Sequence, residues 1–78
     1  MNIRQEILKA GVIGLKDFGY PSVTEENILT DTIYSAFFEE MLKDNIYELE
    51  EKENRTDKEN EVYEVLVSLK KEIESRNV

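Results

Sequence analysis

The fold class follows from residues 56–75, which read TDKENEVYEVLVSLKKEIES. Thr56 and Glu59 have the spacing of a capping box, in which each side chain accepts the other residue's backbone N–H at a helix start. The apolar residues that follow recur at the three- and four-residue spacing of one helix face: Val62, Val65, Leu66, Leu69 and Ile73. This stretch therefore predicts an amphipathic helix over residues 57–75.

The preceding stretch, residues 31–52, predicts a second helix. Asp31 belongs to the residue types that cap helix N-termini. Its apolar face comprises Ile33, Tyr34, Phe37, Phe38, Met41 and Leu42. The pattern weakens near Asn45 and returns with Ile46, so the helix either continues or breaks at Asn45. We expect it to continue.

A first helix is expected over residues 2–18, with Asn2 as its N-cap and Gly19 as its C-terminal cap. Its apolar face comprises Ile3, Ile7, Leu8, Val12, Leu15 and Phe18. Gly11 and Gly14 fall on the same face, which predicts close approach by another helix or an aromatic ring.

The segment between the first two helices carries weaker signals. Ser22 and Glu25 match a second capping box, and residues 25–29 predict one short helical turn. Residues 1–78 are therefore expected to form a single all-α domain. It is either a three-helix antiparallel bundle or a helical hairpin with the N-terminal helix packed on it.

Composition excludes several kinds of chemistry. The 78 residues contain no cysteine and no histidine. Disulfides, thiolate metal sites, cysteine nucleophiles and histidine bases are therefore excluded. The three glycines lack the spacing of a phosphate-binding loop. We expect no enzyme activity, no cofactor and no metal site.

Negative charge is concentrated in one part of the chain. The formal net charge is −8, and residues 39–64 hold eleven acids and four bases, a net charge of −7. A connection at residues 54–56 would bring the acids of two helices to one end of a hairpin. The candidate interaction surface comprises Tyr47, Glu48, Glu51, Asp57 and Glu61. The alternative interpretation of this charge is a surface that only keeps the protein in solution.

Aromatic residues offer a second candidate surface. Phe37 and Phe38 adjoin Tyr34 and could form a binding patch, but their helical spacing with Met41 favours a place in the core. Tyr47 lies off that face and is expected to be an exposed aromatic contact.

Part of the chain resembles small proteins encoded by bacteriophages and prophages. The resemblance covers about residues 10–45 and rests on Phe18-Gly19-Tyr20-Pro21, Val23-Thr24, residues 26–31, Tyr34, Phe37-Phe38 and Met41-Leu42. It implies an accessory protein acting in the cytoplasm of a bacterial host. The resemblance ends at about residue 45, so most of the acidic residues 39–64 and all of the last helix lie outside it.

Two functions of different classes follow. The first is an acidic module that captures a basic surface of a host protein, or imitates nucleic acid. The second is a homo-oligomerising assembly component that uses a spare apolar edge at Ile46, Leu49 and Val67. Direct nucleic-acid binding is disfavoured by the negative charge, and the broken apolar stretches indicate no membrane span. No signal peptide is expected.

Overall fold

The computed structural model describes residues 2–76, which form three helices and no strand. Helix α1 spans Ile3–Asp17, α2 spans Thr32–Glu51 and α3 spans Asp57–Arg76. The predicted all-α fold is thus confirmed, with each helix end within one residue of its expected position. Helix α2 passes through Asn45 without a break, and the Asn45 side chain donates to the carbonyl oxygen of Met41 at 3.0 Å.

Helices α2 and α3 form an antiparallel hairpin, and α1 packs on both of them. The predicted capping box starts α3. Thr56 N donates to Glu59 Oε1 at 3.0 Å, and Glu59 N donates to Thr56 Oγ1 at 3.1 Å. Arg4 joins the N-terminal end of α1 to α3. Its guanidinium donates to both carboxylate oxygens of Glu72, at 2.5 and 3.2 Å.

Helix α1 ends in the glycine cap that the sequence predicts. Gly19 has φ 112°, a backbone conformation that residues with a side chain rarely adopt. Gly19 N donates to Lys16 O at 3.1 Å and Tyr20 N donates to Leu15 O at 3.0 Å, the pair of bonds that defines a Schellman motif. This turn leaves Phe18 beyond the helix, with its side chain 72% exposed. The expectation that Phe18 lies on the buried face is therefore wrong.

The segment between α1 and α2 is built from turns, and its predicted cap is wrong. Thr24 and Asn27, rather than Ser22 and Glu25, make the reciprocal pair. Thr24 N donates to Asn27 Oδ1 at 2.8 Å, and Asn27 N donates to Thr24 Oγ1 at 3.1 Å. The segment also adds three core residues that periodicity did not reveal: Val23, Ile28 and Leu29.

One core joins all three helices and the turn segment. Its buried apolar members are Leu8, Leu15, Val23, Ile28, Leu29, Phe38, Leu42, Ile46, Leu66, Leu69 and Ile73. Two residues assigned to the apolar face of α2 lie largely outside it, because Ile33 is 56% and Phe37 is 38% exposed. The proposed spare edge is also wrong at Ile46, which is only 9% exposed and belongs to the core.

Candidate functional site

The connection between α2 and α3 is held together by its own basic residues. Arg55 donates to the carbonyl oxygen of Leu49 at 3.0 Å and to Asn60 Oδ1 at 2.9 Å. Its guanidinium also lies 4.7 Å from the ring centroid of Tyr63, a cation–π contact. Arg55 therefore hydrogen-bonds a backbone carbonyl in the last turn of α2 and contacts two side chains in the first turns of α3.

Lys52 makes the second tie across this connection. Its ammonium group forms an ion pair and hydrogen bond with Glu59. Hydrogen bonding from Lys52 and from the backbone of Thr56 lowers the pKa of the Glu59 carboxyl. Two of the four bases in residues 39–64 are thus engaged in holding the hairpin closed.

The acids at the end of the hairpin are not neutralised in the same way. Glu51 ends α2, Asp57 begins α3, and Glu61 lies one turn further along α3. All three are exposed, and none forms an ion pair within residues 2–76. We call Glu51, Asp57 and Glu61 the tip acids.

The other two predicted site residues lie on different sides of the hairpin. Tyr47 is 62% exposed, as predicted, and borders a depression formed by α2 and α3 alone, together with Tyr63 and Val67. Glu48 instead borders a hollow that residues of all three helices line. The structure therefore does not bring Tyr47 and Glu48 into one site, and the role of Tyr47 as a contact stays a prediction.

Tyr63 shows how the acids of this region act on a neighbouring group. Its hydroxyl donates to Glu50 Oε2 at 2.8 Å. This hydrogen bond, with burial and the nearby charge, raises the pKa of the Tyr63 hydroxyl. Glu50 is therefore held in place by α3, unlike the tip acids.

Two hollows that share Met41 form a groove where α1 packs on the hairpin: all three helices line the first, and α1, Phe18 and α2 line the second. The first hollow, of about 310 Å³, is lined by Ile7, Ala10, Gly11, Phe38, Met41, Leu42, Asn45, Glu48, Leu49, Val62 and Leu66. The second, of about 210 Å³, is lined by Gly14, Leu15, Phe18, Phe37, Glu40, Met41 and Asp44. We call the two together the seam groove.

The seam groove combines an apolar interior with carboxylates. Glu40, Asp44 and Glu48 line it, and their four-residue spacing places them in a row along α2. Glu40 contacts Lys43 at 3.6 Å, but both side chains are largely exposed, so this ion pair contributes little. We call Glu40, Asp44 and Glu48 the groove acids.

An exposed aromatic cluster closes one end of the seam groove. The ring centroids of Phe18 and Phe37 are 5.6 Å apart, and those of Tyr20 and Phe37 are 5.4 Å apart. Tyr34 adds an edge contact to Tyr20 at 5.7 Å. A patch at Tyr34, Phe37 and Phe38 is one interpretation of the sequence, but in the structure Phe38 is buried and Phe18 takes its place in the cluster. The Gly19 turn was the signal that could have placed Phe18 outside the helix.

Acidic side chains are numerous in the described part of the chain. Within residues 2–76, no three acidic side chains converge in an arrangement that could hold a metal ion. In the same part of the chain, no helix combines the length and apolar character needed to cross a bilayer. Exposed carboxylates and apolar hollows lie side by side on this part of the surface.

Comparison of the chain with models of protein families, with curated protein sequences and with solved structures found no match.

Proposed function

We propose that this protein is an interaction module that binds a basic surface of another protein through residues 39–64, the acidic segment. The observation that carries the proposal is the imbalance of charge within that segment, which holds eleven acids and four bases. Of the four bases, Lys52 and Arg55 hold the hairpin connection and Lys43 contacts Glu40, whereas Lys58 is exposed and forms no ion pair within residues 2–76. Eleven acids thus face one base that is not already engaged. The tip acids and most of the groove acids therefore present uncompensated charge to solvent.

Repulsion among unpaired carboxylates lowers the stability of the folded protein, and binding of a basic partner reduces that repulsion. Carboxylates gathered at one end of a small domain repel each other and oppose its folding. A basic surface placed against them removes this repulsion and is drawn in over a distance of about 8 Å at physiological ionic strength. Complementary charge speeds encounter more than it strengthens the final complex. A rapid, salt-sensitive association is the expected behaviour.

The resemblance of residues 10–45 to phage-encoded proteins favours a partner from the cytoplasm of a bacterial host. Carboxylates repeated every four residues along α2 are about 6 Å apart, which allows imitation of a charged phosphate chain. A partner recognised in this way would use its nucleic-acid-binding surface. Duplex DNA would then compete with this protein for the same partner.

Self-association is the second candidate, and the exposed aromatic side chains favour it. Phe18, Ile33 and Phe37 expose apolar area on one part of the surface, whereas Ile46 is buried and Leu49 and Val67 are only partly buried. A net charge of −8 opposes the approach of two copies. Light scattering on wild-type protein separates the candidates, because the interaction module is a monomer without its partner.

Matched charge reversals test the proposal. One variant replaces the tip acids Glu51, Asp57 and Glu61 with lysine. Its control replaces Glu6, Asp17 and Glu26, three exposed acids outside the acidic segment, so that both variants change the net charge equally.

Wild type and both variants are used to capture proteins from a bacterial lysate at about 50 and about 500 mM salt. Each captured protein is purified and its binding remeasured. We expect a basic protein that binds wild type and the control at low salt, and that is captured far less by the tip variant at low salt and by wild type at high salt. Equal binding to wild type and both variants, or capture indifferent to salt, would overturn the proposal.

A further inference from the structure

We infer that the seam groove binds a basic amphipathic helix of the partner protein, so that an apolar stripe of that helix enters the two hollows and its lysine or arginine side chains meet the groove acids. This inference rests on the proposed function and names the site and the chemical class of its ligand.

The apolar part of the groove has the form that a helix face requires. Its two hollows share Met41, and their lining on α2 extends from Phe37 in the second hollow to Leu49 in the first. The first hollow is lined in part by apolar residues that contact the core but remain partly exposed: Ile7, Leu49 and Val62. Phe37 is 38% exposed in the second. Two apolar side chains one or two turns apart on a partner helix would fill the two hollows.

The charges of the groove repeat with the period of a helix. Glu40, Asp44 and Glu48 rise about 6 Å at each step along α2, so the row spans roughly 12 Å. Basic residues at four-residue intervals on a partner helix lying along α2 have the same spacing. Each cation would therefore face one carboxylate, while the stripe beside it enters the groove.

The aromatic end of the groove suits a cation as well. Phe18 is 72% exposed, and its ring lies 5.6 Å from that of Phe37 by centroids. Glu40 and Asp44 line the same hollow. An arginine or lysine there would place its aliphatic stem against the rings and its charge beside the carboxylates.

Methionine at the centre of the groove adds adaptability. Met41 lines both hollows, and its methyl carbon would lie 3.0 Å from a Cβ at Gly14. An unbranched thioether changes rotamer easily, so the hollows adjust to side chains of different shape. Gly14 lines the second hollow from α1 and leaves it open, because glycine has no side chain to occupy that space.

The alternative occupants are less compatible with these charges. An anionic membrane surface is repelled by a groove with three carboxylates on its wall. A second copy of the chain would bring a further net charge of −8. Its one basic region, near Lys70, Lys71 and Arg76, includes Lys70 already paired with Glu74 at 2.9 Å.

The inference is tested with a designed probe and the full chain. The probe is a synthetic peptide of about 18 residues, roughly 27 Å long as a helix, with leucine on one face and lysine beside it at four-residue spacing. One control peptide has the same composition in shuffled order. The other keeps the spacing but replaces lysine with glutamate. Binding is followed by backbone amide shifts of the isotope-labelled protein, and light scattering reports the oligomeric state.

We expect the amphipathic lysine peptide to form a one-to-one complex and to shift the amides of Ala10, Gly14, Met41 and Asp44. The shuffled peptide should bind about tenfold or more weakly, because it lacks the apolar stripe. The glutamate peptide should not bind. Equal affinity for both lysine peptides, with shifts confined to residues 51–61, would contradict binding in the seam groove. The proposed function would remain, because the acidic segment would still bind a basic ligand. Absence of shifts with either lysine peptide, or a dimer of the protein formed through the groove, would also overturn the inference.

A matched pair of substitutions makes the test specific to the groove. Ala10 and Ala36 are both exposed alanines within helices, but only Ala10 lines the groove. Ala10→Lys places a long cationic side chain in the first hollow and should weaken the amphipathic peptide about tenfold or more. Ala36→Lys makes the same change in charge and should alter binding by less than about twofold. Equal effects of the two substitutions would contradict the inference, and thermal melts verify that both variants fold.

Discussion

The backbone of Gly11 lies directly against the ring of Phe38. A Cβ atom at Gly11 would come within 2.5 Å of Phe38 Cε1, 2.7 Å of Phe38 Cδ1 and 2.9 Å of Ile28 Cδ1. This contact brings α1 close to α2 and to the turn segment at the same point. Because both residues also line the first hollow, the contact sets the depth of the seam groove.

Substitution of the two helical glycines by alanine should affect stability differently. Gly11→Ala forces Phe38 or Ile28 to move and should destabilise the protein by about 1–3 kcal/mol through overpacking. Gly14→Ala meets only the flexible end of Met41 at 3.0 Å, so the gain in helix propensity, up to about 1 kcal/mol, should make it neutral or stabilising. Urea denaturation measures both. A Gly11→Ala variant as stable as wild type would contradict the contact with Phe38.

The cap of α2 should contribute measurably to stability. Asp31 Oδ1 accepts from Ile33 N at 2.9 Å and from Tyr34 N at 3.0 Å. Asp31→Ala removes both bonds and should cost about 1 kcal/mol, whereas Asp31→Asn keeps a capping oxygen and should cost much less. The midpoints of urea unfolding distinguish the two. Equal midpoints for the alanine and asparagine variants would exclude a capping role.

Ile46 and Tyr47 are adjacent in α2, but Ile46 lies in the core and Tyr47 lies on the surface. Ile46 is 9% exposed and Tyr47 is 62% exposed. Ile46→Ala should therefore destabilise the protein by about 2–4 kcal/mol, and Tyr47→Ala should change stability by no more than about 0.5 kcal/mol. Thermal unfolding checks both. A variant at Tyr47 that loses partner binding without losing stability would show that Tyr47 is a contact, as the sequence predicts.

The ion pair between Arg4 and Glu72 should make stability depend on pH. The hydrogen bond from Arg4 lowers the pKa of Glu72 in the folded protein below its value in the unfolded chain. The pair therefore stabilises the fold fully above the ordinary glutamate pKa of about 4, and its contribution is lost as the pH falls through the lower folded value. Partial exposure limits this contribution to about 1 kcal/mol or less.

Glu72→Gln measures that contribution. The variant should lose stability at pH 7 and lose less than wild type on acidification. Glu26→Gln, which removes an exposed carboxylate that forms no ion pair within residues 2–76, should behave like wild type. Urea midpoints at about pH 7 and pH 3.5 give the comparison. Parallel pH profiles for wild type and Glu72→Gln would show that the ion pair adds nothing.

Local signals in the sequence were sufficient for most of the fold. The capping box at Thr56 and Glu59, the cap at Asp31 and the glycine turn at Gly19 mark helix ends through bonds between near neighbours, and all three are present. The buried stripe of α3 follows a strict helical period. Such features depend on residues within one turn of each other, so the sequence specifies them directly.

Features that depend on packing between distant residues were missed. Phe37 fits the apolar period of α2, but it is 38% exposed and contacts Phe18 and Tyr20, which follow the end of α1. Val23, Ile28 and Leu29 are buried without any regular spacing, because turns rather than a helix place them. The acidic segment was visible from charge alone, whereas the seam groove required the position of α1 on the hairpin.

The central claim is that the acidic segment draws in a basic partner, and the association rate tests it most directly. Surface plasmon resonance with the captured, purified partner would compare wild type, the lysine variant of Glu51, Asp57 and Glu61, and the matched control at Glu6, Asp17 and Glu26. We expect the tip variant to associate about tenfold or more slowly at low salt, the control to change far less, and the difference to shrink as salt rises. Equal association rates for the two variants at every salt concentration would contradict the claim.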